Sequence, residues 1–436
     1  MPFTPHRLLL AFALGAASIQ CAQATEDWEP DSEWVAPLPV VVQTEHRPHA
    51  PNDQVDFHFV DHATTRNGRQ VSRVLDSAVQ TFLAYGEPTA WQVNRLGEIG
   101  FALGNLAPGR LGGILEQLAG SQNANLGTAT QNSLNQINSN LLATLRELSD
   151  NRNDSRDGRF WLRALDNTGS LGKQHGSAGL QQRTQGLMLG SDWAVDDAWR
   201  IGVVGAKSTT DLSAKRFKGE LDSWHLGAYA VRQDGPLALR LGAIYSSHAG
   251  QNNRTVDFNF RNYSEQAESK YDAQSHNAFA ELGYQLSMGN LRAEPFASIG
   301  YQRYQRERYK EKGGFTALNV GAQAQENLSS NFGLRLAGTL ELDNRMVLKP
   351  HLSTGWKHLY GDVGSSVRQS SAWVKRPGFN SNFTTQGTSL DRDSLALRTG
   401  VDVALSAQHS VGLAYTAEVG SNSRNQGLTG QWTLAF

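Results

Sequence analysis

Asn425-Gln-Gly-Leu-Thr-Gly-Gln-Trp-Thr-Leu-Ala-Phe436 is the stretch on which the fold turns. Leu428, Gly430, Trp432, Leu434 and Phe436 share one parity, while Thr429, Gln431, Thr433 and Ala435 share the other. Successive side chains of a strand point to opposite faces, so this segment has an apolar, aromatic face and a small, polar one. Whether the apolar face meets a protein core or lipid decides what the other period-2 segments build.

Working back to residue 159, such segments recur. They begin near Arg159, Thr184, Ala198, Glu220, Pro236, Ser275, Leu291, Leu328, Met346, Asp393, Ser410 and Asn425. Ala278, Ala280, Leu282, Tyr284 and Leu286 alternate with Phe279, Glu281, Gly283 and Gln285; Leu395, Leu397, Val401 and Val403 alternate with Arg398, Gly400 and Asp402. A β-sandwich also alternates, and the connections separate the two. Those at 195–197, 233–235, 287–290, 341–345 and 406–409 are short. Those at 169–182, 207–219, 249–273, 305–326 and 361–392 are long and polar; only 421–425 is brief. Short turns on one rim and long loops on the other are the pattern of an outer-membrane barrel, whose even strand number returns Phe436 to the short-turn rim. Trp193, Trp199, Trp224, Tyr245, Tyr284, Tyr301, Trp356, Tyr360 and Trp432 fall near strand ends on the apolar parity, as interfacial girdles require.

Composition agrees. Over 436 residues the net charge is -1, which points to no nucleic acid or other strongly charged partner. Mean hydropathy is -0.45, and beyond the N-terminus no run approaches the roughly 20 apolar residues of a membrane helix. A barrel that alternates lipid-facing and lumen-facing residues has an average hydropathy like that of a soluble chain. Residues 1–24 read as a signal peptide, with His6 and Arg7, an apolar run over 8–19, and cleavage after Ala22-Gln23-Ala24. Cys21, the single cysteine, lies within it. Residues 25–66 are Pro-rich and acidic, the composition of a disordered tail. His58 and His62 stand at i and i+4, but with no third ligand or convincing helix they make no metal site, and no cofactor is expected.

From Asn67 the period becomes helical. Val71, Val74, Leu75, Ala78, Val79, Phe82 and Leu83 form an apolar stripe behind Asn67 as N-cap. A second helix starts near Pro108 and carries Leu111, Ile114, Leu115 and Leu118. A third, over about 123–148, has a narrow seam of Leu134, Ile137, Leu141, Leu145 and Leu148 among Asn, Gln, Ser and Thr. It is too polar to face lipid and suits a polar-lined bore. A twelve-strand barrel lies between packed eight-strand and open sixteen-strand barrels, and a helix about 10–12 Å across should plug it. The expected fold is therefore an all-β transmembrane barrel of twelve antiparallel strands, with an N-terminal α-helical segment whose last helix plugs the lumen. The organisation runs as signal peptide 1–24, tail 25–66, short helical passenger or linker 67–120, pore helix and linker 121–158, and barrel 159–436. On the inward parity, Arg163, Arg200, Arg240, Arg292, Arg335 and Arg398 face Glu281, Glu294, Glu341, Asp402 and Glu418, a set suited to holding a polar helix.

Several motifs together resemble the β-barrel translocator of monomeric autotransporters (type V secretion). They are Phe160-Trp-Leu-Arg163, Gly186-Leu-Met-Leu-Gly190-Ser-Asp192, Trp199-Arg-Ile-Gly202, Trp224-His-Leu-Gly227-Ala-Tyr229 and Trp432-Thr-Leu-Ala-Phe436. The helical stretch is similar to the one preceding such barrels, through Val71 with Leu75-Asp76, Leu106, Pro108 and Leu111, Gln117-Leu-Ala-Gly120 and Ala124-Asn125. The resemblance implies a barrel in the outer membrane of a Gram-negative bacterium, monomeric, with what precedes the pore helix exported and exposed at the surface. It also implies that Leu428, Trp432, Leu434 and Phe436 present an insertion signal to the barrel-assembly machinery after transit with periplasmic chaperones. Two departures stand out: the passenger is short, with no repeat or catalytic signature, and no Asn-Asn pair for self-cleavage occurs in the pore helix. His351-Leu-Ser353 has the spacing of an outer-membrane phospholipase pair, but both side chains share the inward parity. His248, Asp257 and His358 show no omptin-like pairing, so no enzyme is expected. The alternatives are an adhesin or binding barrel acting through its long loops, 361–392 above all, and a plugged porin-like channel.

Overall fold

A computed structural model describes residues 58–84, 108–150, 158–258, 264–342, 346–372 and 380–436. The leader with Ala22 and Ala24, the tail to residue 57 and Leu106 lie outside the described residues, as do the side chains of Phe82, Leu83 and Leu148. Within the stretch whose composition reads as a tail, Phe59–His62 forms a 3-10 turn with Phe59 buried. Among the described residues three helices follow: Arg66–Ala84 (α1), Pro108–Leu118 (α2) and Gln122–Asp150 (α3).

Twelve antiparallel strands then close on themselves. They are Gly158–Leu171 (β1), Leu180–Ala194 (β2), Trp199–Ala214 (β3), Phe217–Asp234 (β4), Leu237–Asp257 (β5) and Ser264–Tyr284 (β6). Leu291–Arg306 (β7), Gln323–Gly338 (β8), Val347–Tyr360 (β9), Asp393–Ala404 (β10), His409–Gly420 (β11) and Ser423–Ala435 (β12) complete the circuit. The terminal segment pairs with β1 from Arg159↔Ala435 to Leu171↔Ser423. Gly158 and Phe436 exchange backbone hydrogen bonds of 2.8 and 3.0 Å at the rim. A closed sheet leaves no unpaired edge to lipid, which is why a barrel crosses a membrane where an open sheet does not.

The outward parity is apolar as expected. Leu187, Leu189, Trp193, Val203, Trp224, Tyr245, Ile299, Phe332, Trp356, Leu395 and Leu428 are exposed on the isolated chain. Inward, the strands are not uniformly polar. Trp161, Leu165, Met188, Val204 and Tyr229 form an apolar wall over β1–β4, so one side of the bore is greasy and the other wet. Trp161 lies across Gly190, where an added Cβ would approach its ring within 2.4 Å, and Tyr229 covers Gly202 in the same way. Glycine on the neighbouring strand makes room for each inward ring.

Several expected loops are strands. Segment 207–219 is a tight hairpin in which only Lys215 and Arg216 separate β3 from β4. Segment 249–273 is largely β5 and β6 carried past the band of aromatic residues, with Asp257 opposite Ser264. Above 305 and 361, the pieces Tyr309–Lys310, Leu318–Val320, Ser366–Ser371 and Phe383–Gln386 make a small four-stranded sheet at the long-loop rim.

Candidate functional site

The bore is the site, because its occupant is α3. At about 1.5 Å per residue, its 29 residues reach from one rim to the other. Ile137, Leu141 and Leu145 turn to the apolar wall. The polar faces find partners at successive heights. Near the long-loop rim, Asn123 Nδ2 donates to Glu311 Oε1 and Gln369 Oε1 at 2.9 Å each. Lower down, Gln131 donates to Gln325, and the Ser133 hydroxyl lies 3.0 Å from Thr210 Oγ1 and accepts from Thr184 at 3.2 Å. Asn140 Oδ1 accepts from Thr429 at 2.9 Å and from Arg398 at 3.4 Å. Buried amides and hydroxyls are tolerated where wall residues supply partners, although Asn132 Nδ2 and Asn138 Oδ1 meet none among the described residues.

The strongest contacts lie in the last turns of α3. Arg146 forks onto Glu281, Nε to Oε1 at 2.8 Å and Nη2 to Oε2 at 2.5 Å, with its guanidinium 4.3 Å from the Phe296 ring centroid. From the wall side, Arg240 donates to Glu281 at 3.1 Å and to Glu294 at 2.5 Å. Two guanidiniums and two carboxylates thus meet in a buried cluster, where bidentate charge-assisted bonds are strongest and hardest to replace. One residue on, Glu147 accepts from Arg163 Nη2 at 2.7 Å.

Among the residues read from sequence, Arg163, Glu281 and Arg398 touch the helix, and Arg240 with Glu294 holds Glu281 in place. The rest play other parts. Arg200 pairs with Asp192 at 3.0 Å on the wall. Glu418 takes Lys357 at 3.5 Å and Ser394 at 2.8 Å. Asp402 faces His351 at 3.4 Å and accepts from Gln431. Arg292 and Arg335 line a cavity of about 840 Å³ at the short-turn end. Glu341 is corrected: it is exposed, in the rim piece Leu340–Glu341 beside the turn, because the inward parity has already left the bore there.

Sequence reasoning missed Arg146 and Glu147, although they are the adjacent opposite charges in the last turns of a helix that, up to its final Asp150, is otherwise built of amides, hydroxyls and aliphatics. It also missed a wall chain in which Trp161 Nε1 donates to Tyr229 Oη at 2.7 Å and Tyr229 donates to Asp192 at 3.0 Å.

At the long-loop rim, α1 and α2 pack on each other and on the mouth. Thr65, not Asn67, caps α1: its Oγ1 accepts from Gly68 N at 3.0 Å. Thr65 also donates to the Glu116 carboxylate. Burial pushes Glu116 up from 4.5 to about 7, against the opposing pull of its bonds to Thr65 and Ser121. A carboxyl raised in the docked state holds a proton that the undocked state has lost between pH 4.5 and 7. That stabilisation is complete below 4.5 and is lost as pH rises through 7, with a ceiling of about 3 kcal/mol. Amides of α1 and α2 are therefore expected to exchange more slowly at pH 5.5 than at pH 8, after correction for intrinsic rates. Glu116→Gln should abolish the difference; identical protection at both pH values in the native chain would contradict it.

A closed twelve-strand barrel with a helix through its bore defines a class: the translocator barrels of the outer membrane. The autotransporter β-domain family matches residues 160–416, more than half of the chain, and the protein belongs to that family. It is 29% identical over 326 residues to an extracellular serine protease of Serratia marcescens, covering 73% of this chain and 30% of that one. The chain thus spans under a third of the length of that curated relative. In fold it is similar to the translocator domain of the autotransporter NalP from Neisseria meningitidis, with a TM-score of 0.54 at 14% identity, covering 71% of this chain and all of that domain.

Proposed function

We propose that the chain inserts into the outer membrane as a monomer and, in doing so, moves the residues before its pore helix to the cell surface. One observation supports this above the others. β1 starts at the short-turn rim, while α3 runs up the bore and leaves its own start, with α1 and α2, at the long-loop rim. Short turns face the periplasm in bacterial barrels. A leader ending at Ala22-Gln23-Ala24, periplasmic chaperones and an insertion signal of Leu428, Trp432, Leu434 and Phe436 read by the barrel-assembly machinery fit the same route. No cofactor enters: barrel closure, which pairs every strand edge, supplies the driving force.

The test is topological. With Cys21 changed to serine, single cysteines replace Arg73 on α1 and Ala407 in a short turn, both exposed. An impermeant maleimide should label Arg73→Cys on intact cells and Ala407→Cys only after the outer membrane is opened. The reverse pattern would overturn export.

A further inference from the structure

We infer that residues 58–84 and 108–120 are not cargo in waiting but a lid that the barrel mouth is built to receive, sealing the pore above the plug. This rests on the translocator reading and adds what the exported segment does.

Three features carry it. The first is a shared core. Phe59, Val71, Leu111 and Ile114 are buried in one cluster with strand-end and mouth-sheet residues, among them Phe217 and Phe383. A passenger that merely emerges would bring its apolar stripe to a mouth that offers it none.

The second is reciprocal completion of backbone groups. The Asn67 amide makes both bonds of a strand neighbour with Gln386: Nδ2 donates to its carbonyl at 2.7 Å, and Oδ1 accepts from its N–H at 2.9 Å. Gln386 ends the edge strand of the mouth sheet, so Asn67 covers a row that would otherwise invite pairing. In return the mouth caps α2. Gln369 and Thr385 both donate to the Ala119 carbonyl, at 2.9 and 3.0 Å, satisfying an acceptor that a helix end leaves open. On the opposite side, Asp257 N donates to Gln117 Oε1 at 2.9 Å and Arg254 donates to the Gln117 carbonyl at 3.1 Å.

The third is fit at a backbone position. Gly120 turns the chain from α2 into α3 at φ +55, and an added Cβ would lie 2.8 Å from Leu318 of the mouth sheet. The turn is shaped to that wall as well as to its own dihedral.

Two cysteine pairs in the full chain test the seat from opposite sides: Asn67→Cys with Gln386→Cys, and Gln117→Cys with Asp257→Cys, each with Cys21→Ser. On intact cells a short bis-maleimide should convert most of the heat-modifiable barrel to a cross-linked band in both, and leave the single-cysteine controls unchanged. Leu115→Asp should remove the Gln117–Asp257 cross-link while leaving the heat-modifiable band. Asn67→Ala should raise tryptic cleavage at Arg66, Arg69 and Arg73 roughly tenfold, the size expected for losing a pair of buried hydrogen bonds. Assembled barrels that cross-link in neither pair, or that are cut at those arginines as fast as denatured chain, would overturn the lid and leave the translocator standing. Failure of the unsubstituted chain to give a heat-modifiable, surface-labelled barrel would instead overturn the translocator reading, and the lid with it.

Discussion

Glu281→Ala is expected to loosen the plug while leaving the barrel closed. Its carboxylate accepts both branches of the Arg146 fork and one bond from Arg240, and none of the three side chains has appreciable exposure. Removing it leaves two guanidiniums buried in the bore with Glu294 as the carboxylate that Arg240 still holds. Breaking one partner of a buried pair costs about 3–5 kcal/mol, because the surviving charge is uncompensated. The cost falls on the contact between helix and wall, since the strand pairing on either side of residue 281 runs through backbone groups. In planar bilayers, conductance with the lid removed by Leu115→Asp should be small with Glu281 present and rise steeply without it. Arg146→Leu combined with Glu281→Leu should recover much of the block, as apolar replacement of a whole buried pair is far less costly than half of it. No rise in conductance when Glu281 is replaced would show that the cluster does not hold the helix.

Much of this architecture was legible in the residues and some was not, for definite reasons. Alternation marked β7, β8 and β10 because their outer faces meet lipid where they are read. It failed over 207–213 and 264–274 because those strands continue beyond the aromatic band. There Asp211 and Ser213 on β3, and Glu268 and Lys270 on β6, face outward into water opposite inward Thr210 and Ser269. The outer face is polar there, and the inner face mixes Thr210 and Ser269 with Leu212 and Tyr271, so the usual sense of the alternation is lost and the segment looks like a loop. The seam of Ile137, Leu141 and Leu145 announced a buried helix; the greasy wall it meets did not, since Trp161 and Tyr229 sit on a parity expected to be polar. Which inward arginine would meet the helix depended on its height in the bore and on rotation about its axis. Arg163 and Arg398 reach it, whereas Arg200, on the same parity, turns to Asp192. Asn67 looked like a cap because Asn before an apolar stripe usually is one. Thr65 took that place, and the amide went to the mouth sheet.

Deleting Phe436 is expected to cut the yield of assembled barrel sharply, and the geometry separates two reasons for it. In the finished fold its backbone closes the seam with Gly158, and its ring lies over that glycine, where an added Cβ would come within 2.6 Å. Those two bonds are worth about 1–3 kcal/mol together, small beside the thirteen-pair register that joins β1 to β12. Loss of the seam contact alone would therefore lower the temperature at which the folded band disappears and leave the amount assembled nearly unchanged. An insertion signal predicts the opposite: few barrels in cells, each almost normally stable. Gly158→Val supplies the control, since it displaces the ring and disturbs the seam while keeping the terminal aromatic and its parity with Trp432, Leu434 and Leu428. Normal assembly with lowered stability in Gly158→Val, against poor assembly with near-normal stability when Phe436 is missing, would assign the residue to recognition before closure. Full assembly without Phe436 would remove it from that role and leave the outward stripe of the last strand as lipid contact alone.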